Sequence, residues 1–264
     1  LIIDYLRTVL LGVKLLILLA NKKNMDKSFV LDKERSLSEI VDDSYLFIKH
    51  NFIEMAGKIA ITAGPFLFVS HAFSQKLQPE VVEGSSFIAL LNLFALFASQ
   101  ALLNTIVYGY LIHKEQDIVF DRDGMWRYIA KHFFFVLSTF SSVFILLALG
   151  IVVFVIPGLY LFVPLSMIYI HRLQAYTSFT ESLSFLIVLV KGNWWSTFGV
   201  LVIASLVLAV SALVFFIPLL WIDPTTGILP SAISATCYTA YYIVTSFVAV
   251  PIAMQYYNLK RKQF

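Results

Sequence analysis

Hydrophobic side chains make up 59% of these 264 residues and charged ones 13%, with a mean hydropathy of +0.84. A water-soluble domain carries about a quarter charged residues, so the composition excludes one and implies an integral membrane protein whose core faces lipid and neighbouring helices. The net charge is +3, nothing points to a nucleic-acid partner, and the single cysteine, Cys237, excludes an intrachain disulfide or a cysteine metal cluster.

In chain order, Leu1–Ala20 is apolar but interrupted by Asp4, Arg7 and Lys14, and Met25 opens a stretch resembling an ordinary polar amino terminus. Residues 1–24 therefore read as a non-native or accessory amino-terminal helix, and residues 25–264 as a single membrane domain. Ser36–Phe52 has helical apolar spacing, a serine cap and Glu39 in its first turn, and predicts an interfacial helix. A first span follows over Ile53–Phe73, with Glu54 and Lys58 paired four apart, and a second over Ser86–Ile112. Met125–Phe133 predicts a short second interfacial helix. The uncharged run Phe133–Ile170 would reach roughly 57 Å as one helix, nearly twice the ~30 Å hydrocarbon core. It must turn, and Pro157-Gly158 is the place, giving a third span to Ile156 and a fourth over Leu159–Ala175 kinked at Pro164. A third interfacial helix, Phe179–Asn193, a fifth span, Ser196–Trp221, and a sixth, Ser231–Asn258, complete the chain.

The stretch Lys191-Gly192-Asn193-Trp194-Trp195 has weaker copies at Lys49-His50-Asn51-Phe52 and Lys131-His132-Phe133-Phe134, each with an acid ten residues earlier (Glu181, Glu39, Asp121). The fold class read from this pattern is an all-α membrane protein: six transmembrane helices as three repeats of an interfacial amphipathic helix plus a transmembrane hairpin. Basic residues crowd one side of that layout, and the outer loops hold only Lys76, so the positive-inside rule puts both termini in the cytoplasm. Lys49, Lys131, Lys191, Trp194 and Trp195 are the candidate lipid contacts, since lysine reaches the phosphate layer and tryptophan favours the headgroup level.

The combination Ile156-Pro157-Gly158-Leu159-Tyr160-Leu161-Phe162, Glu181-Ser182-Leu183 and Lys191-Gly192-Asn193-Trp194-Trp195 resembles the membrane domain attached to some glycerophosphoryl diester phosphodiesterases and the six-helix bacterial inner-membrane proteins of the YciC type. The resemblance covers Ser36–Leu259 in layout and residues 156–199 in motif, and it implies a bacterial cytoplasmic-membrane location. Pro164 stands where such proteins often carry a basic residue. The phosphodiesterase activity of that group resides in a separate soluble barrel and is not implied for these residues.

Candidate chemistry is sparse. His50, His71, His113, His132 and His171 lack metal-site spacing, and there is no phosphate-binding glycine loop, nucleophile elbow or paired-carboxylate motif. No cofactor and no enzymatic activity are expected. Gln100, Asn104 and Tyr108 form one polar stripe on the second span, and Tyr238 and Tyr242 lie on another on the sixth. Such stripes act as interhelical glue or line a groove. The leading reading is a non-enzymatic membrane protein that organises lipid, with anionic lipid in view, or a membrane or cytoplasmic protein partner. The alternative is a permease-like subunit with a polar groove between helices.

Overall fold

The computed structural model describes residues 31, 33–77, 86–153, 155–223 and 227–263. Residues 1–24, the loop at 78–85 and the turn at 224–226, for which the sequence carries expectations, lie outside them. All regular structure among the described residues is helical: α1 (Leu37–Thr62), α2 (Gly64–Leu77), α3 (Ser86–Glu115), α4 (Arg122–Val153), α5 (Val155–Ser166), α6 (Ile168–Ala175), α7 (Phe179–Val190), α8 (Trp194–Phe216) with a 3₁₀ turn at Ile217–Leu220, α9 (Ile228–Thr245), a 3₁₀ turn at Ser246–Val248, and α10 (Ala249–Gln263). Four stretches are long and apolar enough to cross a membrane, or up to six if two bent pairs each count as one.

Three of the breaks lie beside a proline. Pro65, Pro164 and Pro251 each lack the N–H that would reach four residues back, and their rings press on that carbonyl. The chain bends by 55° between α1 and α2 at Ala63, beside Gly64-Pro65. It breaks at Met167, three residues after Pro164, and loosens to 3₁₀ around Phe247, four residues before Pro251. Between α6 and α7 the chain turns by 120°, where Tyr176 takes a left-handed φ of 53°.

Two expectations are corrected here. The interfacial helices foreseen at Ser36–Phe52 and Met125–Phe133 are not separate elements: α1 runs unbroken through Phe52-Ile53, and α4 through Phe133. No residue at either place leaves the helical backbone, and His50, Asn51 and His132 return side-chain hydrogen bonds to the carbonyl four residues back. The helix foreseen at Phe179–Asn193 is a separate element, α7 (Phe179–Val190).

The core lies where α1, α3, α6, α7 and α10 converge, around Ile40, Phe47, Met55, Ile106, Leu111, Ile168, Leu186 and Met254. α3 is central, with 67% of its most apolar window buried, whereas α4 and α8 bury only 11% and 12% of theirs. Their outward faces carry Phe144, Ile145 and Leu149, and Leu206, Val207, Val210 and Leu213. An apolar exposure this continuous suits lipid rather than water. Both ends of the described chain meet, the Arg35 amide donating to Asn258 Oδ1 at 2.9 Å.

Candidate functional site

A cavity of about 1020 Å³ opens beside the α3–α4 connection, walled by Ile112, His113, Glu115 and Gln116, the first turns of α4, the end of α6 and the end of α10. Arg127, Lys131, Lys260 and Arg261 line it, with Glu115 the one carboxylate among the lining residues. Among the described residues Arg127, Lys131 and Lys260 form no ion pair. Like charges turned to one space repel, and that repulsion is relieved when an anion lies among them.

The walls are built from rings. Tyr128 packs against His113 at 5.1 Å, Phe120 at 5.8 Å and His132 at 4.1 Å between centroids. Its ring crosses the α3 backbone at Gly109, where an added Cβ would meet Cε1 at 2.5 Å, so only glycine admits it. His132 Nδ1 lies 2.9 Å from the Tyr128 carbonyl and Nε2 lies 2.8 Å from Tyr176 Oη. A carbonyl only accepts, so Nδ1 carries the proton, and Nε2 pairs with the Tyr176 hydroxyl. The Lys131 ammonium sits 5.4 Å over the Tyr176 ring. Gln174 Nε2 donates to Tyr257 Oη. Two buried polar atoms have no protein partner, Tyr128 Oη and Gln174 Oε1, and both residues line the cavity.

The α3–α4 connection exposes Ile118 and Val119, which line a separate, smaller cavity with Glu54 and Tyr110, together with Asp117, Asp121 and Asp123.

The other sequence candidates are dispersed. Lys49 is exposed in mid-α1. Lys191 ends α7, followed by Gly192 at φ +84° and then by α8. Trp195 is exposed, but Trp194 has a protein partner: its ring stacks on Phe198 and Tyr160, and Nε1 donates to the Tyr160 carbonyl at 3.2 Å. Tyr160 is four residues before Pro164, so its carbonyl lacks the helical donor and takes the indole N–H instead. This contact also corrects the expected layout. Tyr160 is one helical turn from Pro157, and Trp194 three residues from Lys191, so the two turns lie within about 25 Å even at full stretch. A ~30 Å hydrocarbon core cannot separate them, and they do not occupy opposite faces.

The polar stripes do not come together. Asn104 returns a hydrogen bond to the Gln100 carbonyl, and Tyr108 is buried and stacked on Tyr169 of α6. Tyr238 instead meets His71 and Phe216, and Tyr242 meets Tyr241, on the α2 and α8 side. Among the described residues no group of three or more His, Cys, Asp or Glu side chains is placed to hold a metal ion. Of the sequence candidates only Lys131 lines the cavity. Arg127, Tyr128, Gln174, Lys260 and Arg261 lie on three distant segments, and no local pattern marks them. No family model, no curated protein and no solved structure matches this chain.

Proposed function

We propose that this chain is a non-enzymatic multi-pass protein of the bacterial cytoplasmic membrane that holds the phosphate of an anionic lipid or related amphiphile in the cavity between α3, α4, α6 and α10. The observation that carries this reading is the convergence of Arg127, Lys131, Lys260 and Arg261 on one space with a single carboxylate, Glu115. Each cation near an anionic surface contributes about 1 kcal/mol. By the positive-inside rule, the basic lining supports a cytoplasmic position for the cavity. The meeting of Arg35 with Asn258 favours an even number of crossings and both ends on that side. Exposed Lys49, Lys191 and Trp195 supply peripheral lipid contacts. A permease path along the polar stripes would need them to face one another, and they pack in different seams.

The test is lipid retention. The protein in nanodiscs of phosphatidylcholine doped with phosphatidylglycerol, extracted and weighed by native mass spectrometry, should retain the anionic lipid. Combined Arg127→Ala, Lys131→Ala and Lys260→Ala changes should weaken retention roughly 100-fold, three charges at about 1 kcal/mol each. Unchanged retention rejects the cavity as the site.

A further inference from the structure

The corner between α6 and α7 is made by a tyrosine in a conformation that a bulky residue tolerates poorly. Tyr176 follows α6 at φ 53° and ψ 32°, its amide donating to the Arg172 carbonyl at 3.0 Å. Helices that end in the left-handed region usually place glycine or asparagine there, because a larger side chain crowds the backbone. Such strain persists where the surroundings require that residue. Burial is not the requirement, since Tyr176 is 57% exposed. Its ring is nonetheless held by one stretch of α4. The Lys131 ammonium lies 5.4 Å from the ring centroid, His132 Nε2 lies 2.8 Å from the hydroxyl, and the Phe135 ring is 6.4 Å away. His132 is itself buried and bonded through Nδ1 to the Tyr128 carbonyl, so the hydroxyl is tied to a fixed point. Lys131 thus rests on an anchored ring, and both residues line the cavity.

We infer that Tyr176 is the positioning residue of the anion site, a ring set at the α6–α7 corner to station the Lys131 ammonium in the cavity. This rests on the anion reading above and adds how one of its cations is held. A lysine side chain is a flexible stem with a strongly hydrated charge, and fixing it on a ligand loses rotamer freedom. A ring already under the ammonium takes up part of that loss before the ligand arrives, which is how preorganisation raises affinity. The ring occupies one side of the ammonium. Lys131 forms no ion pair among the described residues, so its other donors are left for phosphate oxygens. Arg127 and Lys260 share the cavity and, among the described residues, rest on no ring, which singles Lys131 out.

The experiment measures retention of phosphatidylglycerol by the full chain in nanodiscs of phosphatidylcholine, read by native mass spectrometry. Tyr176→Asn removes the ring where asparagine accepts the left-handed backbone, and it leaves every charge in the cavity. It should lower retention roughly 5-fold, which corresponds to a cation–π contact of about 1 kcal/mol. Tyr176→Phe keeps the ring and loses the tie to His132, and should cost less than Tyr176→Asn. The deciding arm is a double-mutant cycle: in a Lys131→Ala background, adding Tyr176→Asn should lower retention no further. A ring that only propped the corner would weaken binding equally in both backgrounds, and that additivity overturns the inference. Retention untouched by Tyr176→Asn alone also overturns it and leaves the anion site standing. A loss from Tyr176→Phe as large as that from Tyr176→Asn does the same, since it moves the effect from the ring to the hydroxyl. Retention of no anionic lipid by the unaltered chain overturns both readings.

Discussion

The chain contains the same opening twice, and the two copies end differently. Ser36-Leu37-Ser38-Glu39 and Ser178-Phe179-Thr180-Glu181 form the same capping box: the serine hydroxyl accepts the glutamate amide and the glutamate carboxylate accepts the serine amide. A buried arginine secures the approach to each. Arg35 donates to the Leu31 and Lys33 carbonyls, and Arg172 to the Thr177 carbonyl. Seven residues past the cap the copies diverge. Asp43 pairs with Arg35 at 2.7 Å, whereas Phe185 stacks on His171 and leaves Arg172 over the Phe135 ring at 4.1 Å. Thirteen residues past the cap stands a lysine in both, and the next residue decides the outcome. His50 stays helical and α1 continues, while Lys191 turns out of the helix at ψ 127°, Gly192 follows at φ +84° and the chain breaks into α8. A shared start fixes where a helix begins and says nothing of where it stops.

The comparison breaks most readily at the arginines. Asp43→Ala removes the carboxylate from a guanidinium only 1% exposed and should cost about 3 kcal/mol of stability. Phe135→Leu, which removes the ring under Arg172, should cost about 1 kcal/mol. Denaturant unfolding in one detergent measures both, and equal losses would mean that the two arginines are held alike.

Next come the exits. A Cβ at Gly192 has open space, so Gly192→Val suffers only from its left-handed backbone and should lose about 2 kcal/mol. His50→Val, in a continuous helix, should change stability by under about 0.5 kcal/mol. Thermal melts of the two variants side by side decide this, and a neutral Gly192→Val would remove the backbone explanation for the break.

The smallest effects should be the most alike. Ser36→Ala and Ser178→Ala each delete one half of an equivalent cap and should each cost about 1 kcal/mol. A difference above about 0.5 kcal/mol in the same unfolding assay would show that the two starts are not equivalent.

The separate helix after Ser178, the two long apolar helices that follow it, the proline within α5 and the Glu54–Lys58 pair, formed at 3.0 Å, were all readable in the sequence. Caps, prolines and pairs four apart are local signals. The corners assigned to the first two copies were not readable from composition. A polar-to-apolar change at Phe52-Ile53 looks the same whether the helix bends or runs on, and the backbone freedom of one residue decides between them. The acid of the second copy also has another role: Asp121 is itself the cap, accepting the Gly124 amide at 2.8 Å, so Lys131 lies three residues nearer its helix start than Lys49 or Lys191. The cavity was hidden for a different reason. It is assembled from residues 112–132, 173–176 and 257–261, which become neighbours only after the helices pack.

The junction of Arg35 with Asn258 also sets a clock on biogenesis. Its partners are 223 residues apart. At roughly 5–20 residues per second of synthesis, the first helix waits on the order of 10–45 s for the residue that completes its start. Through that interval Arg35 has its nearby partners, Asp43 and the Leu31 and Lys33 carbonyls, while the seam awaiting Asn258 and Met254 stays uncovered. Among the described helices α1 is thus the first made and among the last to be locked, and a ribosome stalled before α10 would leave it open to proteolysis.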